Sequence, residues 1–315
     1  MIVNMEDNRR AEHAAESHIV TKDMVLQFAG LLRDHEKSLA TIDKYTRDVR
    51  TFLAWLGSAY TLDEETDVTL AVDKEKVRRF KQYLQDHYML SSANSMLSAL
   101  NTFFKYMGWQ DCMVMIFKTQ RATFRNTEKD LSIREYQDLI RTAEDRTGRG
   151  KAGGRQLALI METLAGTGIR VSELPFITVA SLAARRATVS LKGKTRTVLI
   201  NSALCRKLRQ YCRERGIADG SIFVTRSGRP IDRSCILRRM KQLSQVAGVP
   251  REKIFPHNLR HLFAVTYYER EKDIVRLADI LGHANINTTR IYTLVTCETQ
   301  LGILDQLGNL LNPAG

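Results

Sequence analysis

Residues 256–293 read PHNLRHLFAVTYYEREKDIVRLADILGHANINTTRIYT. Their apolar periodicity predicts helices over about 258–271, 273–281 and 286–292. His257 and Arg260 stand at i and i+3 near a helix start and so share one face, which suits two donors converging on one anion. Gly282 and His283 end the second apolar run, and Tyr292 follows nine residues later. Taken singly, each has an ordinary reading. A lone Arg or His is more often a surface or satisfied structural group, and a helical Tyr is usually core or rim.

Upstream, helices over about 133–145 and 155–166 lead into the turn GTG and the run IRVSEL, which carries Arg170 and Glu173. The stretch ATVSLKGKTRTVLI (187–200) holds two short β-branched runs around Lys192-Gly-Lys194 and reads as a hairpin. Lysines in such a turn ordinarily protect a solvated edge. A helix over 202–215, a third short strand SIFV (221–224) and a helix over about 233–246 come next, and a last helix spans about 298–310. This part of the chain is expected to be mostly helical with a small three-stranded antiparallel sheet.

Toward the N-terminus, Leu39, Ile42, Tyr45, Val49, Phe52, Leu53 and Leu56 recur at helical steps between Ser38, a natural N-cap, and Gly57, a natural stop. Similar stripes over 23–34, 74–88 and 93–107 complete a four-helix bundle. Residues 110–131 follow no clear period. The expected organisation is a flexible tail over 1–21, a bundle over 22–110, a linker over 111–131, a second domain over 132–297 and a tail helix over 298–315. That tail carries Leu301, Leu304, Leu307 and Leu310 at helical spacing.

With 43% hydrophobic and 26% charged residues among 315, the chain has material for two real cores, which excludes disordered and collagen-like classes. Its net charge of +13 points to an anionic partner such as nucleic acid or a lipid surface. The first 125 residues are net neutral, so all of the excess lies beyond them. Five cysteines, an odd number without a C-x-x-C pair, fit a reducing compartment. Neither an apolar run of membrane-spanning length nor a signal-peptide core is present, so a soluble cytoplasmic protein is expected. No P-loop or acidic metal cluster is evident.

The runs GTGIRVSEL, LKGKTRTVLI, PHNLRHLFA and LGHANINTTRIYT, in this order, resemble the catalytic domain of the tyrosine recombinase (phage integrase-like) family. The bundle, with its SLATIDKYTRDVRTFLAWL helix, resembles that family's SAM-like core-binding domain, so the likeness covers nearly the whole chain from Lys22. It implies that Arg170, Lys192, His257, Arg260, His283 and Tyr292 are the catalytic set, with Glu173 supporting Arg170 and Tyr292 the nucleophile. Lys194 is the lesser claimant to the hairpin-lysine role. Tyr267 and Tyr268 are rival nucleophiles that precede the LGH segment. Leu262 departs from Xer-type relatives, which often carry Thr or Ser there.

The resemblance further implies a site-specific recombinase that cleaves and rejoins DNA through a 3′-phosphotyrosine, as a homo-tetramer or a hetero-tetramer with a related recombinase, on double-stranded DNA with inverted-repeat core sites. No ATP, metal or other cofactor and no membrane is expected, and the setting would be nucleoid-associated. With little room for a further arm before Lys22, recognition of core sites alone is expected. Lys44 and Arg47 in the bundle, and Lys194, Arg196 and His261 in the second domain, are the expected DNA contacts. The alternatives are a type IB topoisomerase-like nicking enzyme, which uses the same chemistry without strand exchange, and a non-catalytic DNA-binding regulator. The resemblance implies His257 as base or proton shuttle and His283 as phosphate donor, roles that the residues alone do not separate.

Overall fold

The computed structural model describes residues 17–57, 70–119, 127–148, 153–191, 194–225 and 227–311. The chain divides into two compact units, Met1–Arg121 and Ala122–Gly315. In the first, strand β1 (His18–Val20) pairs antiparallel with β2 (Leu70–Val72), and helices α1 (Lys22–Asp34), α2 (Leu39–Leu56), α3 (Lys74–His87) and α4 (Leu90–Met107) form the bundle. The helix starts follow from their caps. Ser38 Oγ accepts the Thr41 N–H ahead of α2, and the Asp73 carboxylate accepts the Lys76 N–H ahead of α3. The apolar stripes meet in a core of Phe28, Phe52, Phe80, Phe103 and Phe104. Phe52 meets Phe80 edge-on at 5.0 Å, and Phe28 meets Phe103 edge-on at 5.3 Å, the geometry the ring quadrupole favours.

Two sequence-based expectations change here. The flexible tail was expected to run through residue 21, yet His18–Val20 are paired to β2 and Val20 is buried. His18 fixes the strand by stacking on Trp109 at 4.8 Å, with its Nε2 3.0 Å from each Asp111 carboxylate oxygen. Three residues are too few for a legible alternation; residues 1–16 lie outside the described residues. The linker expected over 111–131 is also shorter. Asn101 and Asn94, two turns apart on α4, each bind a backbone N–H and C=O, those of Val114 and of Phe117 respectively. These paired bonds lay the chain along α4. At the far end Leu131 is buried in the second unit's core, and 120–126 lie outside the described residues.

In the second unit, Ser132 and Glu135 exchange hydrogen bonds in a capping box that starts α5 (Ile133–Gly148). Helix α6 (Gly154–Thr167) is its centre. Leu157, Leu159, Ile160, Met161 and Leu164 are all buried, because α6 is flanked by α5 and by α8 (Ser202–Arg215), α9 (Arg233–Ala247) and α10 (Pro256–Glu271). Between α6 and α8 lie a 3₁₀ turn (Val171–Phe176), the short helix α7 (Val179–Ala184), and an antiparallel pair β3 (Arg186–Leu191) and β4 (Lys194–Leu199). Helix α11 (Ile274–Leu281) and helix α12 (Cys297–Leu311) complete it.

Among the described residues this sheet has two strands, not the expected three. Ile222 and Phe223 are buried, but the backbone around them is engaged elsewhere: Ile222 N–H donates to Ile177 O, and Phe223 O accepts from Ile231 N–H. What remains is two isolated bridges, Thr178 with Ser221 and Val224 with Pro230. The expected helix over 286–292 is instead two 3₁₀ turns, Ile286–Thr288 and Arg290–Tyr292. Asn285 caps the first by accepting the Asn287 N–H, and the INTT composition lacks strong helix formers. No helix among the described residues is long and apolar enough to cross a membrane.

Candidate active site

Two left-handed turns and one helix start define the site. Helix α6 ends at Gly168 (φ +65°) and α11 ends at Gly282 (φ +67°). Neither position accepts a larger residue, since a Cβ would strike the Phe263 ring at the first and the Arg196 side chain at the second. The carbonyls of Gly168 and Leu281, released from helical pairing by these turns, face the first turn of α10. There Arg260, only 1% exposed, donates Nη1 to Gly168 O at 2.6 Å and Nη2 to Leu281 O at 2.8 Å. Its Nη2 also lies 2.8 Å from His283 Nε2. Arg260 Nε is buried with no acceptor among the described residues.

That contact fixes the tautomer of His283. A guanidinium can only donate, so Nε2 accepts, the proton sits on Nδ1, and Thr289 Oγ1 accepts it at 2.8 Å. Burial, reinforced by Arg260 and Arg170, pushes the His283 pKa down to about 4, so the ring is neutral at pH 7. Burial and the same two arginines also lower His257, which is more exposed. Burial lowers Arg260 to about 10, leaving it charged.

Arg170 stands where the chain leaves the GTG turn. Its N–H and its Nη1 both donate to Glu173, while the outer part of the side chain remains 43% exposed. The buried Glu173 carboxylate also accepts from Arg196 Nη2 at 2.6 Å. Burial alone would raise its pKa, but the Arg170 N–H and the Arg196 charge outweigh it, and the net shift is downward. Tyr292 is 3% exposed and packs with Ala264, Val265, Leu277 and Leu281. Burial raises its pKa, opposed by the positive charges of Arg260 and Arg170.

Of the six expected catalytic residues, all in the second unit, five are described, and Arg170 and Arg260 lie close enough to His257, His283 and Tyr292 to bias their protonation. Lys192 lies outside the described residues, and Lys194 opens β4. Tyr267 and Tyr268 are partly buried against the small core around Tyr292. In the bundle, Arg47 is exposed and Lys44 pairs with Asp48.

Two expected DNA contacts turn inward. Arg196 is 13% exposed and holds Glu173 and Ile280 O, so it is a brace of the site. The signal was in the strand phase: Arg196 alternates with Val198 and Ile200, both buried, whereas Leu199 is exposed. His261 lies 3.2 Å from the Asp130 carboxylate, with its ring 5.1 Å from that of Tyr292. Thr289 was missed because a threonine in a polar run carries no sign of burial; it is fully enclosed.

An arginine-lined anion site with an adjacent tyrosine hydroxyl is the equipment of a phosphoryl-transfer enzyme. The described family model "Phage integrase family" matches residues 129–298, and "Phage integrase, N-terminal SAM-like domain" matches residues 25–111. The chain is 28% identical over 289 residues to tyrosine recombinase XerA of Pyrococcus furiosus, covering 88% of this chain and 91% of that protein. To tyrosine recombinase XerD of Proteus mirabilis it is 28% identical over 285 residues, covering 85% and 87%. Its fold is like that of a lambda integrase tetramer bound to a Holliday junction, with a TM-score of 0.65 at 17% identity over 91% of this chain and 80% of that one. The chain belongs to the phage integrase family, and it is a tyrosine-type site-specific recombinase.

The His283–Thr289 bond gives a direct test. Thr289→Val keeps the shape but strands the Nδ1 proton, and should slow DNA cleavage about tenfold and cost roughly 1–3 kcal/mol of stability. Thr289→Ser should restore both. Cleavage by Thr289→Val at the wild-type rate would show that the tautomer is immaterial.

Proposed function

We propose that this recombinase breaks DNA by attack of the Tyr292 hydroxyl on a backbone phosphate, forming a 3′-phosphotyrosyl bond and releasing a 5′-hydroxyl. The observation that carries this is the buried Arg260, anchored by two turn carbonyls and in contact with His283, whose ring lies nearly parallel to that of Tyr292. Extra negative charge builds on the non-bridging oxygens in the transition state. Arg260 and the exposed end of Arg170 supply forked donors to them, which a lysine cannot reproduce. An incoming phosphate would also offset the positive surroundings that depress His257 and His283.

A tyrosine of ordinary pKa, near 10, is only about 0.1% ionised at pH 7. Burial raises Tyr292 further, so a proton acceptor is required. His257 is the better base, because it is neutral and exposed, whereas His283 already has both ring nitrogens engaged. Lys192 is the proposed general acid for the leaving 5′ oxygen. The phosphotyrosine conserves the energy of the broken bond, so religation to another 5′-hydroxyl needs no nucleotide hydrolysis.

We extend the proposal to a tetramer on two duplexes with inverted-repeat sites. In α12, Leu301, Ile303, Leu304 and Leu307 are exposed; the Leu310 side chain lies outside the described residues. An apolar groove of about 610 Å³ on the same unit is lined by Ile133, Tyr136, Leu262, Phe263 and Tyr267, among others. Exchange of α12 between protomers would cover both surfaces. Leu262, the departure from Xer-type relatives, lies in this groove.

The test is covalent capture on a nicked suicide duplex carrying a site recovered by binding selection. Wild type, Tyr267→Phe and Tyr268→Phe should form an adduct, and Tyr292→Phe should form none while binding DNA with unchanged affinity. An adduct with Tyr292→Phe would overturn the assignment.

A further inference from the structure

Residues 129 and 130 meet α10 at two side chains three residues apart, one by a hydrogen bond and one by a charge-pair contact. Asn258 Nδ2 donates to Lys129 O at 2.8 Å, and His261 Nε2 lies 3.2 Å from Asp130 Oδ1. Asp130 and His261 are both largely enclosed, with side chains 18% and 17% exposed. The His261 ring contacts Tyr292 at a 5.1 Å centroid separation and 58° tilt. The His283 ring lies nearly parallel to Tyr292 at 6.4 Å. Tyr292 therefore has two imidazole neighbours, His283, which hydrogen-bonds to Thr289 Oγ1, and His261, whose Nε2 stands within ion-pair distance of Asp130.

Tyr292 needs such support because its backbone supplies little. It ends a three-residue 3₁₀ turn, whose hydrogen bonds are poorer than those of an α-helix. An attacking oxygen displaced by about 1 Å can lose a hundredfold in rate. We propose that Asp130 is a positioning residue for Tyr292, acting through His261; this rests on Tyr292 being the nucleophile. Asp130 orients the imidazole, the imidazole fixes the phenol ring, and the ring delivers its hydroxyl toward Arg260. Asp130 lies nine residues beyond Arg121, the end of the first unit, so the placement of the nucleophile depends on the register in which the chain enters the second unit.

The experiment measures single-turnover adduct formation and DNA affinity on one nicked suicide duplex with the full chain. Asp130→Ala should slow adduct formation about ten- to hundredfold with DNA affinity unchanged within about twofold. Asp130→Asn, which keeps an acceptor oxygen, should recover to within about threefold of wild type. Because the two residues act in series, Asp130→Ala combined with His261→Phe should be no slower than His261→Phe alone. Wild-type rates in Asp130→Ala, additive losses in the double variant, or equal impairment of Asp130→Ala and Asp130→Asn would each overturn the proposal. Absence of an adduct with the wild type would remove the nucleophile assignment and this proposal together, whereas an active wild type with an unaffected Asp130→Ala removes only the role of Asp130.

Discussion

Arg260→Ala is expected to abolish detectable covalent capture of DNA and to lower stability by several kcal/mol. The catalytic loss follows from removing a forked donor from an anion site, which costs on the order of 10²–10³ in rate for a single well-aimed donor. The stability loss has a separate origin. Gly168 O, Leu281 O and His283 Nε2 all take hydrogen bonds from this one guanidinium. Stranding a buried acceptor costs about 1–3 kcal/mol. Arg260→Lys separates the two effects, since it retains the charge but cannot reach both carbonyls and a phosphate from fixed directions. It should fold with a lowered melting point and still cleave at least about a hundredfold more slowly than wild type. Single-turnover cleavage of a suicide duplex and thermal unfolding of the same samples measure both. Cleavage by Arg260→Lys within tenfold of wild type would show that charge alone suffices.

The second large effect is expected at Glu173. Its buried carboxylate binds Arg170 and Arg196 at once, and Arg196 is itself largely enclosed. Glu173→Ala leaves that guanidinium without its counter-charge, a loss of about 3–5 kcal/mol for a buried pair broken from one side. The effect should depend on pH. Because the Glu173 pKa lies below its ordinary 4.5 in the folded state, the carboxylate stabilises the fold fully above that value. The contribution fades as pH falls through the folded-state pKa. The difference between wild type and Glu173→Ala in urea unfolding should therefore be large at pH 7 and shrink in strong acid. His283 acts in the same direction independently: with its pKa near 4, the unfolded chain takes up a proton first below the ordinary 6.5, and this acid sensitivity should persist in the variant. A pH-independent difference would mean that Glu173 is not held ionised by its neighbours.

Much of this architecture was legible in the sequence because its signals are local. Ser38 announces the start of α2 by composition alone, and it accepts the capping N–H it should. The order of the four motif runs located Arg170, Arg260, His283 and Tyr292, which the fold brings together. What failed depended on long-range competition. The strand at 221–224 has strand composition, but its backbone bonds go to Ile177 and Ile231 rather than to the hairpin. His18 becomes ordered through a tryptophan and an aspartate more than ninety residues away. Arg196 was read by charge as a surface contact, although its phase with two apolar neighbours placed it inward.

The two glycine turns have a consequence for how this enzyme can change. Two of the groups that hold Arg260 are backbone carbonyls, and no codon removes a carbonyl. Selection can act on them only through the residues that aim them, Gly168 and Gly282, both in a left-handed conformation with no room for a Cβ. Variation that tunes the recombinase is thereby steered away from the anion clamp and toward the surrounding side chains, such as those lining the groove beside Leu262. Chemistry and the shape of the surrounding surface can then diverge at different rates within one domain.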